Sequence, residues 1–177
     1  MVRVGKFEKV SFKQFRSSID EKLINIDPNI IDIDSLSKEM YDKIEIPKRA
    51  TKGSAGYDFK SPFTFVLLPG ETIKIPTGIR VNIEDGWWLG ILPRSSMGFK
   101  YRLQLDNTMA VIDSDYYYSD NEGHIFIKIT NDSKSNKSLT ISCGESFAQG
   151  IFIPYGITYD DNVSDIRNGG IGSTNNP

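Results

Sequence analysis

From Ile73 onward the apolar residues keep a period of two: Ile73 and Ile75, then Ile79, Val81 and Ile83, then Ile125, Ile127 and Ile129, and last Ile151 and Ile153. Successive side chains of an extended chain point to opposite faces, so this spacing specifies strands with one buried face. Leu68-Pro69-Gly70, Glu84-Asp85-Gly86 and Asn131-Asp132-Ser133 punctuate the runs with turn formers. Many short strands separated in this way indicate an all-β sandwich or barrel. The pattern differs before Ile44, where Phe12, Phe15, Ile19 and Leu23, and then Leu36, Met40 and Ile44, fall at helical spacing on either side of Pro28. Two short helices are expected there, docked on the core through their apolar face, with a partner-binding surface as the alternative. The expected division is 1–45 as a helical extension, 46–160 as the β core and 161–177 as a flexible arm.

A chain of 177 residues with 38% hydrophobic content can bury one core, and a net charge of −2 argues against a nucleic-acid surface. The single cysteine, Cys143, excludes an intrachain disulfide and fits a reducing compartment. Its setting, Leu139-Thr140-Ile141-Ser142-Cys143, suggests a buried or half-buried bystander rather than a nucleophile. His124, the single histidine, has no second His or Cys to share a metal and reads as the residue leading into a strand. Trp87-Trp88 at a turn-to-strand junction should send one indole inward and the other to solvent or a neighbouring subunit. The chain has no apolar run of roughly eighteen residues and no apolar signal core at its start, so a soluble, cytoplasmic protein without a membrane partner is expected.

The chemistry concentrates in Asn107-Thr108-Met109-Ala110-Val111-Ile112-Asp113-Ser114-Asp115-Tyr116, which reads as one β-hairpin carrying an amide, two carboxylates and a phenol. Asn107 offers a paired donor and acceptor that match a base edge, Tyr116 a ring that can pack on a sugar, and Asp113 a proton acceptor between them. Ordinary turn chemistry is the competing reading of Asp-Ser-Asp. Upstream, Pro93-Arg94-Ser95-Ser96-Met97-Gly98 supplies a guanidinium and two hydroxyls, the parts of a phosphate cradle or of a plain turn. In Ala55-Gly56-Tyr57-Asp58-Phe59 a carboxylate follows a flexible glycine, where it could hold a hydrated Mg²⁺. Downstream, Gly144-Glu145-Ser146-Phe147-Ala148-Gln149 opens an apolar strand with a polar amide near its head. The tail Arg167-Asn168-Gly169-Gly170-Ile171-Gly172-Ser173-Thr174 can fold over a triphosphate as a lid.

Taken in order, these five segments resemble the motifs of the trimeric dUTPase family from about Ile46 to Thr174, including a close variant of its Asn-x-x-Gly-x-Ile-Asp-x-Asp-Tyr element. Asp115 to His124 resembles the expanded hairpin of the Gram-positive bacterial and phage branch, and Lys48 to Ser54 looks like that branch too. The resemblance implies a dUTPase-like β-barrel or jelly roll (β-clip) with short N-terminal helices and a flexible C-terminal arm. It implies hydrolysis of dUTP between its α- and β-phosphates to dUMP and pyrophosphate with Mg²⁺, which limits uracil in DNA and supplies dUMP for dTMP synthesis. A homotrimer is implied, with every site shared among chains.

Carried over by position, Asp113 matches the carboxylate that activates water and contacts the 3′-hydroxyl. Tyr116 matches the ring that leaves no room for a 2′-hydroxyl. Asn107, helped by hairpin main chain that includes Ile112, matches the uracil reader. Arg94, Ser95, Ser96 and Gln149 match phosphate binders, and Asp58 the acid that orients, through water, a metal held mainly by the triphosphate. Arg167, Ile171, Gly172, Ser173 and Thr174 match the closing arm. Ser96 and Ala110 stand where the family often has Gly, and Ile171 where many members have a stacking Phe on an arm one residue longer. Tolerance is expected at Ser96 and Ala110.

The runner-up enzyme is dCTP deaminase, which needs a glutamate on the strand after the hairpin. Here Lys128 stands at that position, and a lysine cannot take the role without a large pKa shift. The non-enzymatic reading is a nucleotide-sensing protein that binds a regulator, as some phage relatives are thought to do, with the N-terminal helices as the surface.

Overall fold

The structure is a computed structural model, and it describes residues 2–19, 32–165 and Arg167. The expected periodicity becomes strands throughout the core. In order they are β1 (Gly5–Lys9), β2 (Lys48–Arg49), β3 (Tyr57–Lys60), β4 (Phe65–Leu67), β5 (Thr72–Pro76), β6 (Ile79–Ile83), β7 (Trp87–Pro93), β8 (Leu103–Leu105), β9 (Ala110–Ile112), β10 (Phe126–Asn131), β11 (Leu139–Ile141) and β12 (Ser146–Pro154). Among the described residues three α-helices join them, α1 (Phe12–Ser17), α2 (Ile33–Lys43) and α3 (Ser95–Tyr101), with a 3-10 turn at Ser114–Tyr118. The largest sheet runs β2-β3-β12-β7-β9, a second runs β5-β10-β8, and β1-β6 and β11-β4 pair separately. All the pairings are antiparallel, and the sheets close on one another in the jelly-roll manner expected.

Ile75, Ile79, Val81, Ile125, Ile127 and Ile129 are all buried in the shared interior. Removing a side chain of that size from water contributes about 1.5–3 kcal/mol, so this row alone accounts for much of the sandwich. Ile151 and Ile153 differ. The residues β12 turns inward are Phe147, Ala148 and Gly150, which leaves Ile151 and Ile153 half-buried on the outer face of the largest sheet.

Three expectations are corrected. The N-terminal segment is not helical alone: β1 pairs antiparallel with β6 from Gly5 opposite Ile83 to Lys9 opposite Ile79 before α1 begins. The Asn107–Tyr116 stretch is not one hairpin, because β8 bonds to β10 while β9 bonds to β7, so the chain crosses between sheets at Asn107. Cys143 is exposed rather than buried, its backbone N–H bonded to Thr64 Oγ1 at 3.0 Å in a turn past the end of β11.

The helices do dock. Phe15 of α1, then Ile19, Met40 of α2 and Ile44 all join the core. Ser11 caps α1 by accepting from Gln14 N–H, and Asp32 caps α2 by accepting from Asp34 N–H. Leu23 lies outside the described residues. The junction with the barrel is Gly78, whose left-handed φ of 70° and tight packing allow no side chain, since an added Cβ would stand 2.3 Å from Ile44 Cδ1. Gly78 N–H donates to His124 Nε2 at 2.8 Å, which fixes the neutral tautomer with its proton on Nδ1, facing Ser18 Oγ at 3.2 Å.

Burial pushes His124 from 6.5 down to about 4, with Glu122 opposing and Lys74 assisting. The unfolded chain therefore takes up a proton first, so this stability is complete above pH 6.5 and is lost as pH falls toward about 4. Denaturant titrations across that window are expected to show a decline on the order of 3 kcal/mol at full extent, much flattened in His124→Gln.

Candidate active site

β7 carries two sites, one at each end. Ile112 lies opposite Leu89, so Asp113 emerges beside Trp88. Trp88, Val111, Asp113, Ser114, Asp115 and Tyr155 line a groove of about 350 Å³. Asp113 is the N-cap of the 3-10 turn, and that turn carries Tyr116 back under the loop, where only 3% of it is exposed. The Tyr116 phenol donates to His124 O at 2.8 Å and accepts from Asn121 Nδ2 at 2.8 Å. Burial raises its pKa, so it stays neutral and fixed.

At the other end, Arg94 begins α3 and leads into Ser95 and Ser96, both exposed. β12 aligns Gln149 opposite Asp58 on β3 and opposite Leu92 on β7. Together Asp58, Arg94, Ser95, Ser96 and Gln149 line a groove of about 460 Å³. Arg94 Nε stands 3.4 Å from Asp58 Oδ1, and Gln149 Nε2 donates to Pro93 O at 3.3 Å. Gly56 permits this closeness: a Cβ there would meet Gln149 Oε1 at 2.4 Å. One guanidinium, two hydroxyls and an amide suit phosphate oxygens. No cluster of three or more His, Cys, Asp or Glu side chains able to hold a metal occurs among the described residues.

The two grooves are not one site. Trp88 and Arg94 are six residues apart on an extended strand, roughly 20 Å at its usual rise. A general base works within hydrogen-bond reach of the water it activates, so Asp113 cannot serve a phosphate held by Arg94 of its own chain. Asn107 stands at the far end of β9 from Asp113, exposed in a tight turn where Met109 N–H donates to Asn107 O at 2.6 Å. The intervening Thr108 has φ 64°, a left-handed backbone rare for a β-branched residue and a mark of stored strain. Ile112 is buried, so only its main chain is available to a ligand.

Arg167, half-buried, pairs with the Asp113 groove rather than with the Arg94 cradle. Its guanidinium donates to Asp113 Oδ2 at 2.9 Å, lies 3.4 Å from Asp115 Oδ1, and covers the Tyr116 ring at 5.7 Å. Ile171, Gly172, Ser173 and Thr174 lie outside the described residues. Lys128 pairs with Asp106 at 2.7 Å on the exposed side of β10, where it holds that carboxylate low and is no substitute for a buried glutamate. The sequence reasoning did not find the Asn121 and His124 contacts that hold Tyr116, nor Trp88 and Tyr155 in the Asp113 groove.

The all-β fold, the cradle and the carboxylate above a buried tyrosine define a nucleotide-binding protein of the phosphohydrolase kind. The family model described as dUTPase matches residues 42–175. Deoxyuridine 5′-triphosphate nucleotidohydrolase of Lactococcus lactis subsp. lactis (strain IL1403) is 41% identical over 134 residues, covering 74% of this chain and 88% of its own. Among solved structures, the dUTPase from Streptococcus mutans matches with a TM-score of 0.60 and 29% identity, over 86% of this chain and 97% of that one. The dUTPase of Staphylococcus bacteriophage 80alpha matches with a TM-score of 0.56 and 25% identity, over 71% and 93%. The chain belongs to the dUTPase family.

Gly56→Ala should push the Gln149 amide out of the cradle while leaving the fold intact. Calorimetric titration with inorganic triphosphate is expected to find affinity lower by about tenfold, or about 1.4 kcal/mol.

Proposed function

We propose that this protein hydrolyses dUTP to dUMP and pyrophosphate, with Asp113 as the base that activates the attacking water. The observation that carries the role is the half-buried Asp113 carboxylate, held at the end of β9 beside an immobilised Tyr116. Asp113 takes a proton from water as its oxygen bonds to the α-phosphorus, and the bond to the oxygen bridging α- and β-phosphorus breaks. Pyrophosphate leaves with that oxygen. No covalent enzyme intermediate is needed, and the barrier is lowered by positioning and charge neutralisation.

Tyr116 forms the floor of the deoxyribose. Because its phenol is already bonded to His124 O, the ring cannot shift to admit a 2′-hydroxyl. Asn107 reads uracil from its exposed turn with main chain near Ile112. Arg94, Ser95, Ser96 and Gln149 hold the phosphates. Arg167, Ile171, Gly172, Ser173 and Thr174 close over them once Arg167 leaves Asp113. The single carboxylate in the cradle, Asp58, fits a Mg²⁺ held mainly by phosphate oxygens and touched by protein through water. Bound there, Mg²⁺ would neutralise the triphosphate.

A homotrimer with sites shared between chains reconciles the distances, bringing the Asp113 groove of one copy to the Arg94 cradle of another. Half-buried Trp88, Ile151 and Ile153, with exposed Val111 and Tyr155, offer an apolar strip for that contact. No helix among the described residues is long and apolar enough to cross a membrane. The 80alpha structure is described in terms of phage dUTPases controlling transfer of virulence genes. A regulatory protein partner of that kind would be an addition to the enzyme.

Pyrophosphate release should occur with dUTP and Mg²⁺ but not with dCTP, dTTP or UTP. Asp113→Asn is expected to lower kcat by roughly 10²–10⁴. No release from any nucleotide, with dUTP still bound, would identify a binding protein instead.

A further inference from the structure

The segment from Glu8 to Ser18 belongs to no part of the catalytic reading, yet it touches the tyrosine loop at three places. We propose that this N-terminal segment is a positioning element for nucleoside binding, which acts by holding the loop from Tyr116 to His124. The inference rests on the reading of Tyr116 as the floor of the deoxyribose.

Residues that hold Tyr116 alternate along the loop with residues that the N-terminal segment holds. Tyr116 is fixed by Asn121 Nδ2 and His124 O, each at 2.8 Å. Its neighbour Tyr117 donates from its phenol to Glu8 Oε2 at 2.6 Å. Next to Asn121, Glu122 takes both donors of Ser11, the backbone N–H at 2.7 Å and the hydroxyl at 2.6 Å. His124 completes the series through Ser18 Oγ at 3.2 Å. Neither Asn121 nor His124 can move far without breaking one of these ties, and both hold the phenol.

Two details mark the ties as specific. Glu122 has φ 58°, in the left-handed region where Gly or Asn is the ordinary occupant. A glutamate there is explained by its carboxylate, which is aimed at Ser11, the N-cap of α1. Glu8 is likewise a permanent anion: the Tyr117 hydroxyl and Lys6 lower its pKa to about 2. Arg80 binds Glu8 at 3.2 Å and stands over the Tyr117 ring at 4.4 Å, so strand β6 holds the same corner. Charged acceptors make the stronger class of hydrogen bond, and two of the three ties use one.

Loosening the loop should therefore weaken the fit to deoxyribose before it affects the chemistry at Asp113. Glu122→Ala is expected to raise the KM for dUTP about fivefold and to narrow the preference for dUTP over UTP, with kcat within about twofold. Glu122→Gln should stay near wild type, because its amide can still accept from the Ser11 N–H and donate to the Ser11 hydroxyl. Tyr117→Phe, which removes one tie, and Ser11→Ala, which removes the hydroxyl half of another, should move KM in the same direction. Amide exchange over residues 114–124 should quicken in Glu122→Ala and not in Glu122→Gln. Faster exchange with unchanged KM and unchanged selectivity would overturn the proposal, as would parallel loss of kcat in both Glu122 variants. Unchanged exchange in Glu122→Ala would overturn it whether or not the wild-type chain hydrolyses dUTP. Absence of dUTP hydrolysis in the wild type would count against the function alone.

Discussion

Strand β7 separates the two halves of the chemistry. Its first residues stand beside the Asp113 carboxylate and its last lead into the turn of Arg94, Ser95 and Ser96, with roughly 20 Å of extended chain between them. Because β7 is hydrogen-bonded on one side to β9 and along its whole length to β12, it cannot bend to bring its ends together. β12 in turn sets Gln149 opposite Asp58, so the cradle is assembled by strand register rather than by loops. Sites built on paired strands hold their geometry more tightly than sites on free loops. The consequence is two separate grooves per chain, and the proposed trimer is what would bring them together.

Arg167 is tied to the same carboxylate. Its guanidinium contacts both Asp113 and Asp115 and stands over the Tyr116 ring. Under the proposed function, nucleotide binding would displace it toward the triphosphate, a richer set of anionic partners. The N-terminal segment acts on the same groove from beneath, since Glu8, Ser11 and Ser18 hold the loop that seats Tyr116.

The barrel was legible in the isoleucine alternation because period two over several strands has few other physical solutions, and the docked faces of α1 and α2 were legible in their apolar spacing. Family membership was legible in the order of the five motifs. Other features were not. β1 offers only Phe7 as a fully inward residue, too little alternation to announce a strand. The Asn107 stretch looked like a hairpin because strand, turn and strand are local facts, whereas pairing partners are long-range ones. Cys143 sits just past β11 in a turn, and the apolar residues before it gave no sign that the strand ends at Ile141. Contacts between residues about a hundred positions apart, such as Ser11 with Glu122, leave no periodic trace at all.

Mixing two inactive chains tests the central claim most directly. Asp113→Asn destroys one half-site and Arg94→Ala the other, and each alone should be inactive. If sites combine Asp113 of one copy with Arg94 of another, co-expressed chains should recover activity at about a quarter of the sites. If every chain builds its own complete site, the mixture would remain as inactive as its components.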